Sequence, residues 1–132
     1  MLLNSIEPPM PTLRRCYDWG RLLAAAIQTY KEDIRVAVLG TGGLSHSIGE
    51  PTMGAIDEAF DQRCIAAFND GREKPLVEFL EAEMDGAGNG SHECRNWIVA
   101  HGAAGSRGFH LIDYIPVPEV YVGCGFAAWN LR

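Results

Sequence analysis

The sequence is short of positive charge, of paired cysteines and of long apolar runs, and each shortage removes a class of function. Lys and Arg number 11 against 17 Asp and Glu, for a formal net charge of -6. Phosphate recognition needs clustered cations, so no nucleic-acid partner is expected. No segment has the unbroken apolar length that a membrane helix requires, so no membrane partner is expected either. Cys16, Cys64, Cys94 and Cys124 are irregularly spaced and include no Cys-x-x-Cys pair, which excludes a zinc ribbon and a thioredoxin motif. The sequence opens without a signal-peptide pattern, so the four are expected to be reduced core thiols of a cytoplasmic protein. There is no internal repeat and no low-complexity tract.

Local motifs are equally informative by their absence. Gly-Thr-Gly-Gly-Leu-Ser-His, residues 40–46, lacks the third glycine of a dinucleotide fingerprint and the lysine of a P-loop. Ser45 is not in a Gly-x-Ser-x-Gly elbow, which argues against serine hydrolysis. No His-x-x-x-His or Glu-x-x-His pair occurs, so no complete metal site can be assembled from local spacing.

What the sequence does contain is a globular composition, 47% hydrophobic and 21% charged over 132 residues, enough for one domain or a piece of a larger one. Its organising stretch is Ile34 to Pro51. A β-branched run stops at Gly40, passes through Gly42 and Gly43, and presents Ser45 and His46. This pattern predicts a buried strand delivering a polar loop at its carboxyl end, where open α/β sheets place their ligands. Glycines permit positive φ and close approach to the backbone, so His46 is a candidate functional residue placed by the loop itself.

In chain order, Met1 to Ile6 reads as the end of a strand, and Pro8, Pro9 and Pro11 turn the chain. Thr12 is a predicted N-cap. Leu13, Tyr17, Leu22, Leu23, Ala26, Ile27 and Tyr30 recur at near-helical spacing and predict a helix ending near Lys31. Strand, helix and the Ile34 to Leu39 strand would form a crossover unit, favouring a parallel sheet. Further helices are predicted over Gly54 to Asn69 and Lys74 to Met84. A turn-rich segment spans Asp85 to Gly90. A fourth helix begins with Ser91 as N-cap, because Cys94, Trp97, Ile98 and His101 fall at i, i+3, i+4 and i+7. Phe109 to Ile115 reads as a strand stopped by Pro116 and Pro118, and Val120 to Leu131 as a last edge strand or a segment over the site. The fold class expected is α/β, with a parallel-rich sheet flanked by helices.

Glu93 lies in the first turn of the fourth predicted helix, where the helix dipole favours a negative charge. Its carboxylate is either a metal ligand or general base, or simply a complement to that dipole. His46 is either a proton shuttle or a ring satisfied by loop backbone. His92 adjoins Glu93 on a helix, so the two side chains diverge by about 100° and chelate one metal poorly. His101 falls on the apolar stripe and reads as a core histidine. His110 lies in a strand and could face either way.

Taken together, Asn4 to Pro9, Arg14 to Tyr17, Gly40 to His46, His92 to Trp97 and Tyr114 to Glu119 resemble, in that order, the carboxyl-terminal half of class III extradiol ring-cleavage dioxygenases, the LigB-like catalytic subunits. The resemblance spans nearly the whole chain, and Gly-Thr-Gly-Gly-x-Ser-His is its most specific part. It implies that residues 1–132 are the carboxyl-terminal part of a larger LigB-like α/β domain. It also implies a mononuclear non-haem iron(II), held in the family by two histidines and one glutamate. Glu93 would be the carboxylate ligand and His46 the acid/base acting on the catechol hydroxyl. The two iron-binding histidines of the family would precede Met1, since none of His92, His101 or His110 matches them. The reaction implied is insertion of both atoms of dioxygen into a catechol such as protocatechuate or a gallate, in aromatic catabolism. The implied partners are a small aromatic substrate, dioxygen, and either a second copy or a small partner subunit. A second reading stays open, in which the chain is an interaction module that keeps the fold without a complete iron site.

Overall fold

The computed structural model describes residues 1–130. Four helices precede one hairpin: α1 (Leu13–Gln28), α2 (Glu58–Asp70), α3 (Glu73–Glu83), α4 (Cys94–Ala103), β1 (Phe109–Val117) and β2 (Val122–Trp129). Short 3₁₀ turns at Met84–Ala87 and Asn89–Glu93 lead into α4, and Pro118–Val120 joins the strands. Thr12 caps α1 as expected, accepting a hydrogen bond from the Arg15 backbone N–H. Asp57 does the same for α2 through Phe60 N–H at 2.8 Å. Gly71 ends α2 in the left-handed conformation.

The core gathers Leu13, Cys16 and Tyr17 of α1, Phe60, Cys64 and Phe68 of α2, Leu76 and Leu80 of α3, and Trp97 and Ile98 of α4. The hairpin closes over it with Phe109, Leu111, Tyr114 and Trp129. All four cysteines are unbridged, as expected, and three are buried.

The sheet differs from the expected parallel-rich one. Among the described residues it has two antiparallel strands, with Phe109 opposite Trp129 and Val117 opposite Val122. A connection this short permits only antiparallel pairing. The register slips between Leu111 and Asp113, and Pro116 is tolerated opposite Gly123 because a two-stranded sheet consists of edges. The predicted strand Ile34 to Leu39 has no regular secondary structure, with Leu39 82% exposed. An apolar alternation becomes a strand only when a neighbour accepts its ladder, and none lies beside it here. Met1 to Ile6 is likewise irregular. Of the predicted last strand, Leu131 lies outside the described residues.

The buried face of α1 also departs from the predicted stripe. Leu13, Cys16, Tyr17 and Gly20 are buried, whereas Leu22, Ile27 and Tyr30 are exposed. The reason is the close crossing of α1 and α4. A methyl group at Gly20 would meet the Val99 carbonyl oxygen and stand 2.7 Å from Ala103 N, and one at Gly102 would stand 2.8 Å from the Tyr17 carbonyl oxygen. Glycine at both positions lets the backbones touch. His101 is fully buried, as its place on the apolar stripe predicts. Its ring stands edge-on to Tyr17 and Phe68, and its Nδ1 accepts from Trp129 Nε1–H at 2.7 Å. The proton is therefore on Nε2, which has no partner among the described residues.

Two tests follow from this packing. Alanine at Gly20 improves helix propensity by about 1 kcal/mol, but overpacking costs about 1–3 kcal/mol, and backbone atoms cannot step aside. Gly20→Ala is expected to lower the thermal midpoint by roughly 2–8 °C. Burial lowers the His101 ring from its ordinary 6.5 to about 4. Its folded value lies below its unfolded one, so the stability it contributes is full above about pH 6.5 and lost as pH falls through about 4. A His101→Gln variant should lose that part of the pH dependence of the thermal midpoint, read as its difference from wild type between pH 7 and 4.

Candidate functional site

The loop carrying His46 has no regular secondary structure, so its shape comes from hydrogen bonds to surrounding elements. From α4, Asn96 Nδ2 donates to the Thr41 carbonyl and Trp97 Nε1 to the Gly42 carbonyl, each at 2.8 Å. From β2, the Gly123 carbonyl accepts Leu44 N–H at 2.7 Å, and Gly123 N–H donates to the Ser45 carbonyl at 3.0 Å. On the far side Gly90 N–H donates to the His46 carbonyl at 3.0 Å. Asn89 exchanges two hydrogen bonds with the Ile48 backbone. The predicted strand does not hold this loop; α4, the hairpin and the 3₁₀ turn before α4 do.

His46 and Glu93, 47 positions apart in the numbering, meet here. His46 Nε2 stands 3.6 Å from Glu93 Oε2, with the imidazole largely buried and the carboxylate partly so. Glu93 Oε2 also accepts Gly43 N–H at 2.8 Å, and Gly42 packs against the carboxyl group. The other ring nitrogen, His46 Nδ1, lies 3.0 Å from the Leu44 carbonyl. A carbonyl can only accept, so Nδ1 carries the proton and the Nε2 lone pair of the neutral ring is the free, basic position.

Glu93 is in the last position of the 3₁₀ turn and immediately precedes α4. The predicted N-cap, Ser91, instead donates backward to the Met84 carbonyl of the preceding 3₁₀ turn and to the Gly88 carbonyl. The 3₁₀ turn holds those residues back, because its tighter winding delays the first α-helical hydrogen bond. His92 points elsewhere. Its Nδ1 accepts from Arg95 Nη1 at 2.6 Å and its Nε2 faces Asp85 Oδ1 at 3.3 Å. Burial, then the Arg95 charge, lower its pKa. His110 is exposed on β1 and His101 is in the core. Neither reaches the site.

Sequence reasoning missed Asp61 and Tyr114. Asp61 is fully buried. Its Oδ1 accepts Ser45 N–H at 2.8 Å, and its Oδ2 accepts Ser45 Oγ–H at 2.8 Å and the Tyr114 hydroxyl at 2.7 Å. Burial raises the Asp61 pKa against the opposing pull of those hydrogen bonds, and burial followed by the Asp61 contact raises that of Tyr114. The available signal was an aspartate on the apolar side of α2, between Phe60 and Cys64.

With the geometry in place, the comparisons bear on it. The family model described as "Catalytic LigB subunit of aromatic ring-opening dioxygenase" matches residues 1–124. The chain belongs to the LigB family. It is 31% identical over 114 residues to a gallate dioxygenase of Pseudomonas putida, covering 84% of this chain and 33% of that protein. It is 30% identical over 174 aligned positions to a 2,3-dihydroxyphenylpropionate/2,3-dihydroxicinnamic acid 1,2-dioxygenase of Paraburkholderia phymatum, covering 95% of this chain and 54% of that protein. The chain thus spans between a third and about a half of the length of these LigB-family relatives.

Whether this LigB chain holds a metal was tested on its donor set. Among the described residues no three His, Cys, Asp or Glu side chains converge as a metal site. Glu93 and His46 face one another without a third donor, so these residues do not by themselves complete a facial iron triad. A cleft of about 820 Å³ lies between α1 and the turn after α4, near Arg21, Gln28 and Arg107, and includes neither residue. Among the described residues no helix is long and apolar enough to cross a membrane.

The placement of His46 depends on the bare surface of Gly90, since any Cβ there would overlap the imidazole ring. Gly90 φ lies outside the left-handed region, so alanine meets no backbone strain and the substitution tests the contact alone. Gly90→Ala is expected to shift the His46 ring resonances while leaving the backbone resonances of α1 and α3 in place, as read by heteronuclear NMR.

Proposed function

We propose that the chain is the carboxyl-terminal part of an extradiol dioxygenase that inserts both atoms of dioxygen into a catechol such as protocatechuate or a gallate. The observation that carries the reading is the approach of His46 Nε2 to Glu93 at 3.6 Å, inside a chain of the LigB family. The gallate and dihydroxyphenylpropionate dioxygenases it resembles support the substrate class, an aromatic carboxylate with adjacent ring hydroxyls. Glu93 is assigned as the carboxylate ligand of iron(II), with the remaining donors supplied by residues outside this chain. A cytoplasmic location belongs to the same proposal and is supported by the four unbridged cysteines.

The step that this chain's own residues perform is a proton transfer. Neutral His46, held with its proton on Nδ1, takes the proton of a catechol hydroxyl at Nε2. The imidazolium so formed has the Glu93 carboxylate beside it and the Leu44 carbonyl on its other nitrogen, so both N–H groups are matched by acceptors. The ring can return that proton later in the cycle.

The alternative, a non-catalytic module, is favoured by one observation, the incomplete donor set among the described residues. Oxygen uptake separates the two. The protein, purified without oxygen and reconstituted with iron(II), is offered a panel of catechols. In a sample that consumes oxygen, His46→Phe should lower turnover by about 10²–10⁴-fold while iron stays bound, and Glu93→Gln should lower the iron content itself. Undiminished turnover in His46→Phe removes its assignment. If a longer protein that includes the remaining donors neither binds iron nor consumes oxygen with any catechol, the module reading stands.

A further inference from the structure

We propose that Asp61 is a positioning residue for His46 and acts through the Leu44–Ser45 peptide. The Leu44 carbonyl and the Ser45 N–H belong to one planar peptide unit and point in opposite directions. On one edge Ser45 N–H donates to the Asp61 carboxylate at 2.8 Å; on the other the Leu44 carbonyl accepts His46 Nδ1–H at 3.0 Å. Carboxylate, peptide and imidazole therefore form one hydrogen-bonded chain. A charge-assisted bond at one end polarises the peptide and makes its carbonyl a better acceptor at the other.

The rest of the surroundings hold Asp61 to this task. Tyr114 and Ser45 Oγ occupy its second oxygen, and Ser45 Oγ accepts Asp57 N–H at 2.9 Å, which joins the carboxylate to the start of α2. Gly123 lies against Oδ2, where a side chain would displace it. No described cation pairs with Asp61. Burying a carboxylate without one is costly, and here three donors from the loop and β1 offset that cost. The carboxylate earns its position by what it orients. It keeps the His46 proton on Nδ1 and leaves Nε2 free toward Glu93, as a carboxylate would do if it touched the ring directly.

This inference rests on the reading of His46 as acid/base, and its test needs no turnover. The ring nitrogens of His46 are observed by ¹⁵N NMR in the metal-free chain, at a pH where the imidazole is neutral. Wild type should show the Nδ1–H tautomer alone. Tyr114→Phe, which spares the bond from Asp61 to Ser45 N–H, should keep it; folded Asp61→Asn should show mixed tautomers. An Nε2–H ring in wild type, or an unchanged tautomer in folded Asp61→Asn, overturns the proposal. Should Asp61→Asn not fold, Asp61→Glu, which keeps the charge but moves the carboxylate off Ser45 N–H, is read in its place: mixed tautomers support the proposal and the Nδ1–H form alone overturns it. In a sample with His46-dependent oxygen uptake, Asp61→Asn should also lose about 10- to 100-fold in turnover. If the tautomers behave as stated while His46→Phe leaves turnover intact, the functional reading fails and the relay stands.

Discussion

Three hydrogen bonds converge on one buried carboxylate, and the geometry around His46 depends on them. Asp61 on α2 draws in Ser45 from the glycine-rich loop and Tyr114 from β1, so three parts of the chain with no local reason to meet share a single acceptor. The backbone bonds between Gly123 and residues 44 and 45 run alongside and close the hairpin onto the loop. Because the loop has no ladder of its own, losing this anchor would leave its carbonyls to water and its histidine free to turn.

The second constraint is the contact of α1 with α4. Gly20 and Gly102 bring the two helix backbones together in the last turns of α4, whose opposite end lies at the loop. Glu93, Asn96 and Trp97 at that end of α4 then reach the loop: one through its carboxylate, the others through side-chain N–H groups.

Two residues of the candidate site were legible in the sequence. His46 and Glu93 were singled out from a glycine loop and a helix start, and they are the two that face each other. The helices were also readable, within a few residues at their ends, because apolar spacing and caps such as Thr12 act locally. His101 was recognisable as a core residue by its place on the α4 stripe. The strand at Ile34 was not, since strand formation is a property of pairs. The buried face of α1 was misjudged because Gly20, with no side chain, adds nothing to hydropathy yet decides which side can touch α4.

By itself the sequence determined the helical segments, the loop that offers His46 and the membership of a family, all consequences of short-range spacing and residue type. The tertiary structure alone decided that the sheet is an antiparallel hairpin and that Asp61 lies behind Ser45. It also decided which nitrogen of His46 carries the proton. These are long-range matters. Each depends on a partner many residues away, and a hydrogen bond leaves no trace in the sequence until the chain has brought donor and acceptor together.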